Sequence, residues 1–95
     1  MAKNETMTLT AGEWTEITDS DVTTITFQNI SPYPIFVAGT TGSAPSSTDP
    51  DDAIRYNPGQ GERNTPLGDL FPGVSGADRV FVTSDGEATV FVSHA

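Results

Sequence analysis

The chain has 95 residues, with thirteen acidic and four basic side chains, a net charge of −9 and no cysteine. This length predicts one domain with a modest core. The acidic balance argues against nucleic-acid binding, which needs a basic surface, and against anionic membrane surfaces. The lack of cysteine excludes disulfides, thiolate metal sites and cysteine nucleophiles.

The amino-terminal segment shows no targeting signal. Residues 1–14, MAKNETMTLTAGEW, lack the apolar stretch of a signal peptide. No apolar run approaches the ~18 residues of a membrane span. We therefore expect a protein that is made in the cytoplasm and has no membrane segment. Residues 1–5 are polar and predict a flexible tail, and residues 6–95 predict a single β domain.

The first part of the chain predicts short strands separated by turns. Residues 6–10 and 14–18 largely alternate between apolar and polar side chains. Residues 22–29, VTTITFQN, are rich in the β-branched and aromatic side chains that strands favour. Residues 35–38, IFVA, form a continuous apolar run, which is typical of a strand buried on both sides.

The middle of the chain predicts loops with little regular structure. Residues 40–52, TTGSAPSSTDPDD, predict a long polar loop, followed by a short strand over residues 53–56. Residues 57–78 predict a second irregular stretch. Within it, residues 67–71 predict a helical turn that Pro72 ends.

The last segment, residues 79–95, carries the clearest local signal. Two runs rich in Val and Phe flank Asp85 and Gly86, which predicts a β-hairpin with a type I′ turn. In that register Val80 pairs with Phe91. One face of the hairpin carries Phe81, Ala88, Val90 and Val92, and the other carries Val80, Val82 and Phe91. Both faces are then apolar, so something has to cover each of them.

Together these elements predict an all-β fold, namely a small single-domain antiparallel β-sandwich or barrel with long irregular loops. The doubly apolar hairpin also suggests that a second chain covers one of its faces. The interface candidates are Val80, Val82, Phe91, Phe71 and Tyr56. An alternative remains open, in which residues 57–78 fold back over the hairpin and cover it.

No set of residues predicts catalysis. His94 is the single histidine, and nothing in the pattern holds it near a nucleophile, so we expect an exposed or interface residue. Asp49, Asp51 and Asp52 offer oxygen ligands for Ca²⁺ but lack the spacing of an EF-hand loop, which favours solvated loop acids. The glycines of residues 57–61 lack a P-loop lysine and favour a turn. The sequence therefore predicts neither an enzyme nor a cofactor.

Six segments together resemble small virion proteins of tailed bacteriophages, in particular head decoration (cement) proteins, and the resemblance extends from Thr8 onward. They are TLTAGEWTEI (8–17), VTTITFQNIS (22–31), PIFVAGTTGSAP (34–45), AIRYNPGQGE (53–62), DLFPGVSGADRVFV (69–82) and VSHA (92–95). The resemblance implies a protein of the virion that binds the outside of the capsid shell, commonly as a homotrimer. It would clamp neighbouring major capsid proteins or bind other virion proteins. Residues 1–5 and 40–52 are candidate arms.

A second function class rests on the aromatic side chains Trp14, Tyr33 and Tyr56. They would line a groove in a tail- or fibre-associated β module that binds a host-surface glycan or another virion protein. Aromatic residues in a domain of this size are more often core or interface residues, which favours the decoration protein.

Overall fold

The computed structural model describes residues 2–45 and 53–95 of the chain. The described residues form eight strands and one short helix. In chain order these are β1 (Lys3–Leu9), β2 (Thr15–Glu16), β3 (Thr24–Asn29), β4 (Ile35–Thr40), β5 (Ile54–Tyr56), β6 (Gly61–Pro66), α1 (Leu67–Leu70), β7 (Arg79–Thr83) and β8 (Ala88–His94).

The strands form two antiparallel four-stranded sheets. Sheet A has the order β1-β8-β3-β6, and sheet B has the order β2-β7-β4-β5. The apolar faces of the two sheets enclose one core, so the fold is a β-sandwich and the predicted all-β class is confirmed. No strand of the described residues joins the two sheets, and therefore no barrel closes. No helix in the described ranges is long and apolar enough to cross a membrane.

The core follows from the alternation of side chains along each strand. On β8 the side chains of Ala88, Val90 and Val92 are fully buried, whereas those between them are only partly buried. Phe27 of sheet A meets Tyr56 of sheet B edge to face, with ring centroids 4.9 Å apart. Fully or largely buried apolar residues of the core include Leu9, Ile17, Val22, Ile25, Phe27, Ile35, Val37, Tyr56, Leu67, Phe71, Val80 and Val82.

The predicted pairing of the last two strands is wrong. In sheet B, Val80 lies opposite Gly39 on β4. In sheet A, Phe91 lies between Thr6 on β1 and Gln28 on β3. Strands β7 and β8 therefore belong to opposite sheets, and the segment between them crosses from one sheet to the other.

The crossing segment also differs from a type I′ turn. Neither Asp85 nor Gly86 has the positive φ that this turn requires. The Ser84 hydroxyl donates a hydrogen bond to the carbonyl oxygen of Gly86, and the Ser84 carbonyl accepts one from the Gly12 N–H at 2.8 Å. Asp-Gly here supports an arch between two sheets rather than a hairpin within one.

The arch explains the two apolar faces of the carboxyl-terminal pair. Val80 and Val82 on β7 face the core from one side, and β8 faces it from the other. Tyr56 and Phe71 also lie in this core. The burial of these four interface candidates therefore needs no second chain, whereas Phe91 points away from the core.

Two further segments differ from the sequence-based expectation. Strand β1 begins at Lys3, so residues 3–5, predicted as part of a tail, pair with β8. Strand β6 (Gly61–Pro66) pairs with β3 inside a stretch predicted to be irregular. Its alternation is hidden because its side chains are polar and mostly exposed.

The helical turn predicted over residues 67–71 is confirmed as α1, which ends at its C-cap Phe71. The Phe71 ring packs directly over Gly39, where a Cβ atom would overlap it. Leu67 and Phe71 thus bring the connection between β6 and β7 into the core. Since β7 and β8 form no hairpin, the alternative in which residues 57–78 cover one is wrong.

Candidate functional site

The outer face of sheet B carries a phenylalanine that is almost fully buried. Phe81 lies directly between Glu16 on β2 and Ala38 on β4 and is only 6% exposed. Phe36 projects from the same face and is half-buried. Little apolar surface therefore reaches solvent at Phe81 and Ala38.

An ion-pair cluster centred on Arg79 lies on the same outer face of sheet B. Arg79 Nη1 lies 2.8 Å from Glu16 Oε2, and Arg79 Nε lies 2.7 Å from Asp21 Oδ1. These two hydrogen bonds, to Asp21 first and then to Glu16, raise the pKa of the guanidinium. The Thr18 hydroxyl also donates to Glu16 Oε2 at 2.9 Å. The cluster joins β7, β2 and the connection to β3, which is a structural role.

The outer face of sheet A has a different chemistry. All of the outward positions on β1, β8 and β3 are uncharged. They are Asn4, Thr6, Thr8, Thr89, Phe91, Ser93, Thr24, Thr26 and Gln28. One aromatic ring, that of Phe91, therefore lies among hydroxyl and amide groups, in a protein whose net charge is −9.

A groove runs beside the Phe91 ring and has a volume of about 280 Å³. The residues that line it are Thr26, Phe27, Gln28, Gly59, Gly61, Glu62, Arg63 and Phe91. Gly61 lies opposite Gln28, and a Cβ there would overlap the backbone of β3. The missing side chain therefore lets β6 approach β3 closely at the edge of this groove.

A β-bulge shapes the wall of this groove. Ile25 pairs with Thr65 and Phe27 pairs with Glu62, so β6 carries one extra residue between these pairs. The bulge includes Asn64, whose φ of 44° lies in the left-handed region. Bulges of this kind redirect side chains and are frequent next to functional sites.

Two polar side chains of the groove, those of Thr26 and Gln28, are held in place. The Thr26 hydroxyl oxygen accepts a hydrogen bond from the Asn64 N–H at 2.8 Å. Gln28 Nε2 donates to the Gly59 carbonyl at 3.1 Å. Fixed polar groups lose less conformational entropy when they bind a ligand than free ones do.

A second exposed feature lies at one end of the sandwich, where the loop from β3 to β4 meets the arch. Ile30 and Tyr33 are each 49% exposed. The Tyr33 ring lies against Gly86, where an added Cβ would sit 3.5 Å from it. We call the surface formed by Ile30, Pro32 and Tyr33 the tip patch.

The tip patch rests on a buried asparagine. Asn29 Oδ1 accepts hydrogen bonds from the Ser31 N–H at 3.0 Å and the Ser31 hydroxyl at 2.6 Å. Asn29 Nδ2 donates to the carbonyls of Tyr33 at 2.7 Å and Tyr56 at 3.1 Å. These bonds fix the loop, so Ile30 and Tyr33 are presented on a rigid support.

The three aromatic residues predicted to line a groove do not share an exposed surface. Tyr56 lies in the core, and its hydroxyl donates to Glu62 Oε2 at 3.1 Å. Burial, and then the nearby Glu62 carboxylate, raises the pKa of Tyr56. Trp14 is half-buried, and only Tyr33 is well exposed. The interpretation of Tyr56 as part of a ligand surface is therefore wrong.

His94 is buried and part of a structural contact. Its Nε2 accepts a hydrogen bond from the Asp19 N–H at 3.1 Å, and its Nδ1 lies 2.9 Å from the Ala95 carbonyl oxygen. Asp19 in turn pairs with Lys3 at 2.8 Å. The expectation of an exposed residue was wrong, because β8 continues to His94 and places its side chain on the inner face.

Two loop segments were considered in the sequence, a glycine-containing turn and a group of aspartates. The turn at residues 57–61 is confirmed, since Gly59 has a φ of 86° and the Gln60 N–H donates to the Asn57 carbonyl at 3.0 Å. Asp49, Asp51 and Asp52 lie outside the described residues. Within residues 2–45 and 53–95, no group of three or more His, Asp or Glu side chains is arranged to hold a metal ion.

Comparison with protein-family models, curated proteins and solved structures finds no match to this chain. Sequence reasoning missed the groove because the assumed hairpin paired Phe91 with Val80. The signal that could have revealed it is the alternation on β8, where Thr89, Phe91 and Ser93 occupy the positions between fully buried residues.

Proposed function

We propose that the protein is a structural component of a tailed-bacteriophage virion, in which it decorates the capsid shell and binds the major capsid protein or another virion protein. The proposal takes its class from the resemblance of the six segments. The tip patch is the observation that carries the docking step, because it exposes two large apolar side chains on a fixed loop.

A rigid apolar patch is a suitable docking surface for a protein shell. Contacts with aromatic and aliphatic anchors dominate protein interfaces, and a partner gains most from them when they are already in position. Tyr33 supplies an apolar ring with a polar hydroxyl, and Ile30 supplies an aliphatic side chain beside it. The acidic chain disfavours contact with the packaged DNA.

The test is a mass-spectrometric and cryo-electron-microscopic census of purified particles made from a genome that encodes this chain. We expect a fixed copy number on the outside of the head. Absence from washed particles, or a position inside the shell, would contradict the proposal.

Paired variants test the docking surface. The double variant Ile30→Ser/Tyr33→Ser should fold but bind shells at least tenfold more weakly, which corresponds to about 1.4 kcal/mol. The matched control is Ile54→Ser, which also removes an exposed isoleucine but lies on β5. Equal binding by both variants would exclude the tip patch as the contact.

A homotrimer is proposed on the same resemblance. Sedimentation equilibrium of the isolated protein would measure the state in solution, and the particle census would measure it on the shell. A monomer in both measurements would contradict the trimer. The docking surface would still be tested by the paired variants.

A further inference from the structure

We propose that the groove beside Phe91 binds an uncharged carbohydrate chain. This site is separate from the tip patch, and the inference does not depend on the proposed virion role. It is carried by the aromatic ring, the fixed polar groups beside it and the absence of charge at the outward positions of β1, β3 and β8.

The side chains of the groove match the two kinds of surface that a sugar presents. The C–H face of a pyranose ring is apolar and packs on an aromatic ring such as that of Phe91. Its hydroxyls need partners that both donate and accept, and Thr26, Gln28 and Arg63 provide hydroxyl, amide and guanidinium groups. Small-molecule sites commonly combine an apolar surface with a few fixed polar groups in this way.

Charge selects the class of carbohydrate. The outward positions of β1, β3 and β8 carry no charge, and the whole chain carries −9. An anionic glycan would approach a negative protein against repulsion, and within the groove the carboxylate of Glu62 offsets the positive charge of Arg63. An uncharged chain meets no such barrier.

The same face fits a protein partner less well. The centres of protein interfaces are enriched in several aromatic and aliphatic side chains. Phe91 is the one aromatic residue among the outward positions of these three strands, and Thr, Ser, Asn and Gln occupy the others. The hydroxyls of Thr89 and Ser93, on either side of Phe91 along β8, add polar groups on this face for a chain of sugars.

The test is an NMR titration of the ¹⁵N-labelled full chain with neutral hexasaccharides of glucose, mannose and galactose, and with a polysialic acid fragment as the anionic probe. We expect at least one neutral probe to shift the amide signals of Thr26, Gln28 and Phe91. Signals of β2 and β4 should stay unchanged. Preference for the anionic probe would overturn the inference.

Variants separate binding from folding. Phe91→Ala should weaken binding about tenfold, whereas Phe91→Trp should retain it, because a larger aromatic face remains. The matched control Phe36→Ala removes a half-buried ring from the opposite sheet and should bind as the parent does. Each variant's amide spectrum reports whether it is folded.

Three results would overturn the inference. The first is no shift with any neutral probe at about 10 mM, which is above the millimolar range of weak sugar contacts. The second is undiminished binding by folded Phe91→Ala, and the third is a set of concentration-dependent shifts on this face without sugar, which would mark contact with a second copy.

Discussion

Each outer face of the sandwich carries a phenylalanine on one of the last two strands, and the two side chains differ in burial and surroundings. Phe81 on β7 is flanked by Ala38 and Glu16 and is almost fully buried. Phe91 on β8 lies among uncharged polar side chains and borders a groove. A buried ring serves mainly stability, whereas a partly exposed ring on a polar face is available for binding.

The largest expected effect is at Phe81. Phe81→Ala should lower the free energy of unfolding by about 3 kcal/mol, because it removes a ring that is almost fully buried. Urea denaturation would measure the loss. A loss below about 1 kcal/mol, as expected for an exposed ring, would remove the distinction between the two faces.

The matching change at Phe91 should cost less. Phe91→Ala should lower the free energy of unfolding by about 1 kcal/mol, because its ring is only partly buried on the outer face of sheet A. The same urea titration applies, with Val90→Ala as the core control on the adjacent position. Equal losses at positions 90 and 91 would contradict the outward orientation of Phe91.

The ion-pair cluster gives a smaller, salt-dependent effect. Arg79→Gln removes both the Glu16 and the Asp21 contacts and should destabilise the protein less than Phe81→Ala does. The loss should shrink between low salt and 1 M salt, where the Debye length is about 3 Å. Arg55→Gln, on the same face and bonded to Asn57 among the described residues, is the matched control. An equal, salt-independent loss of stability in both variants would argue against a stabilising role for the ion-pair cluster.

The smallest effect concerns the ion pair at the edge of sheet A. The hydrogen bond from Lys3 lowers the pKa of Asp19 below its ordinary value of 3.8. The resulting stabilisation is complete above that unfolded-state value and is lost as the pH falls through the lower folded-state value.

Asp19→Asn should therefore reduce stability slightly at pH 7 and flatten its decline below pH 3.8. Thermal unfolding between pH 2 and pH 7 would measure this, with the exposed loop acid Asp85→Asn as control. A decline as steep in Asp19→Asn as in the parent protein would show that the pair makes no contribution.

Much of the fold follows from local patterns. The β-branched run of residues 22–29, the apolar run of residues 35–38 and the helical turn before Pro72 correspond to β3, β4 and α1. These elements are predictable because the apolar side chains that form their sequence patterns are also the ones that pack in the core. Strand β6 is not, because its exposed polar side chains leave no periodic apolar signal.

The candidate sites were less predictable, since both depend on pairing between distant segments. The groove forms only when Gly61 of β6 lies opposite Gln28 of β3 and Phe91 lies on its other side. The assumed hairpin placed Phe91 with Val80 and so gave two apolar faces. Two strands of different sheets that both face one core produce the same sequence pattern. A predicted hairpin with two apolar faces can therefore indicate an arch between two sheets.

The central claim is that β7 and β8 lie in different sheets and that Phe91 therefore faces outward. Interstrand backbone NOEs from Phe91 test it directly. The structure predicts contacts with Thr6 on one side and Gln28 on the other, together with contacts from Val80 to Gly39. Backbone NOEs between Phe91 and Val80 would instead establish a hairpin and contradict both the arch and the groove.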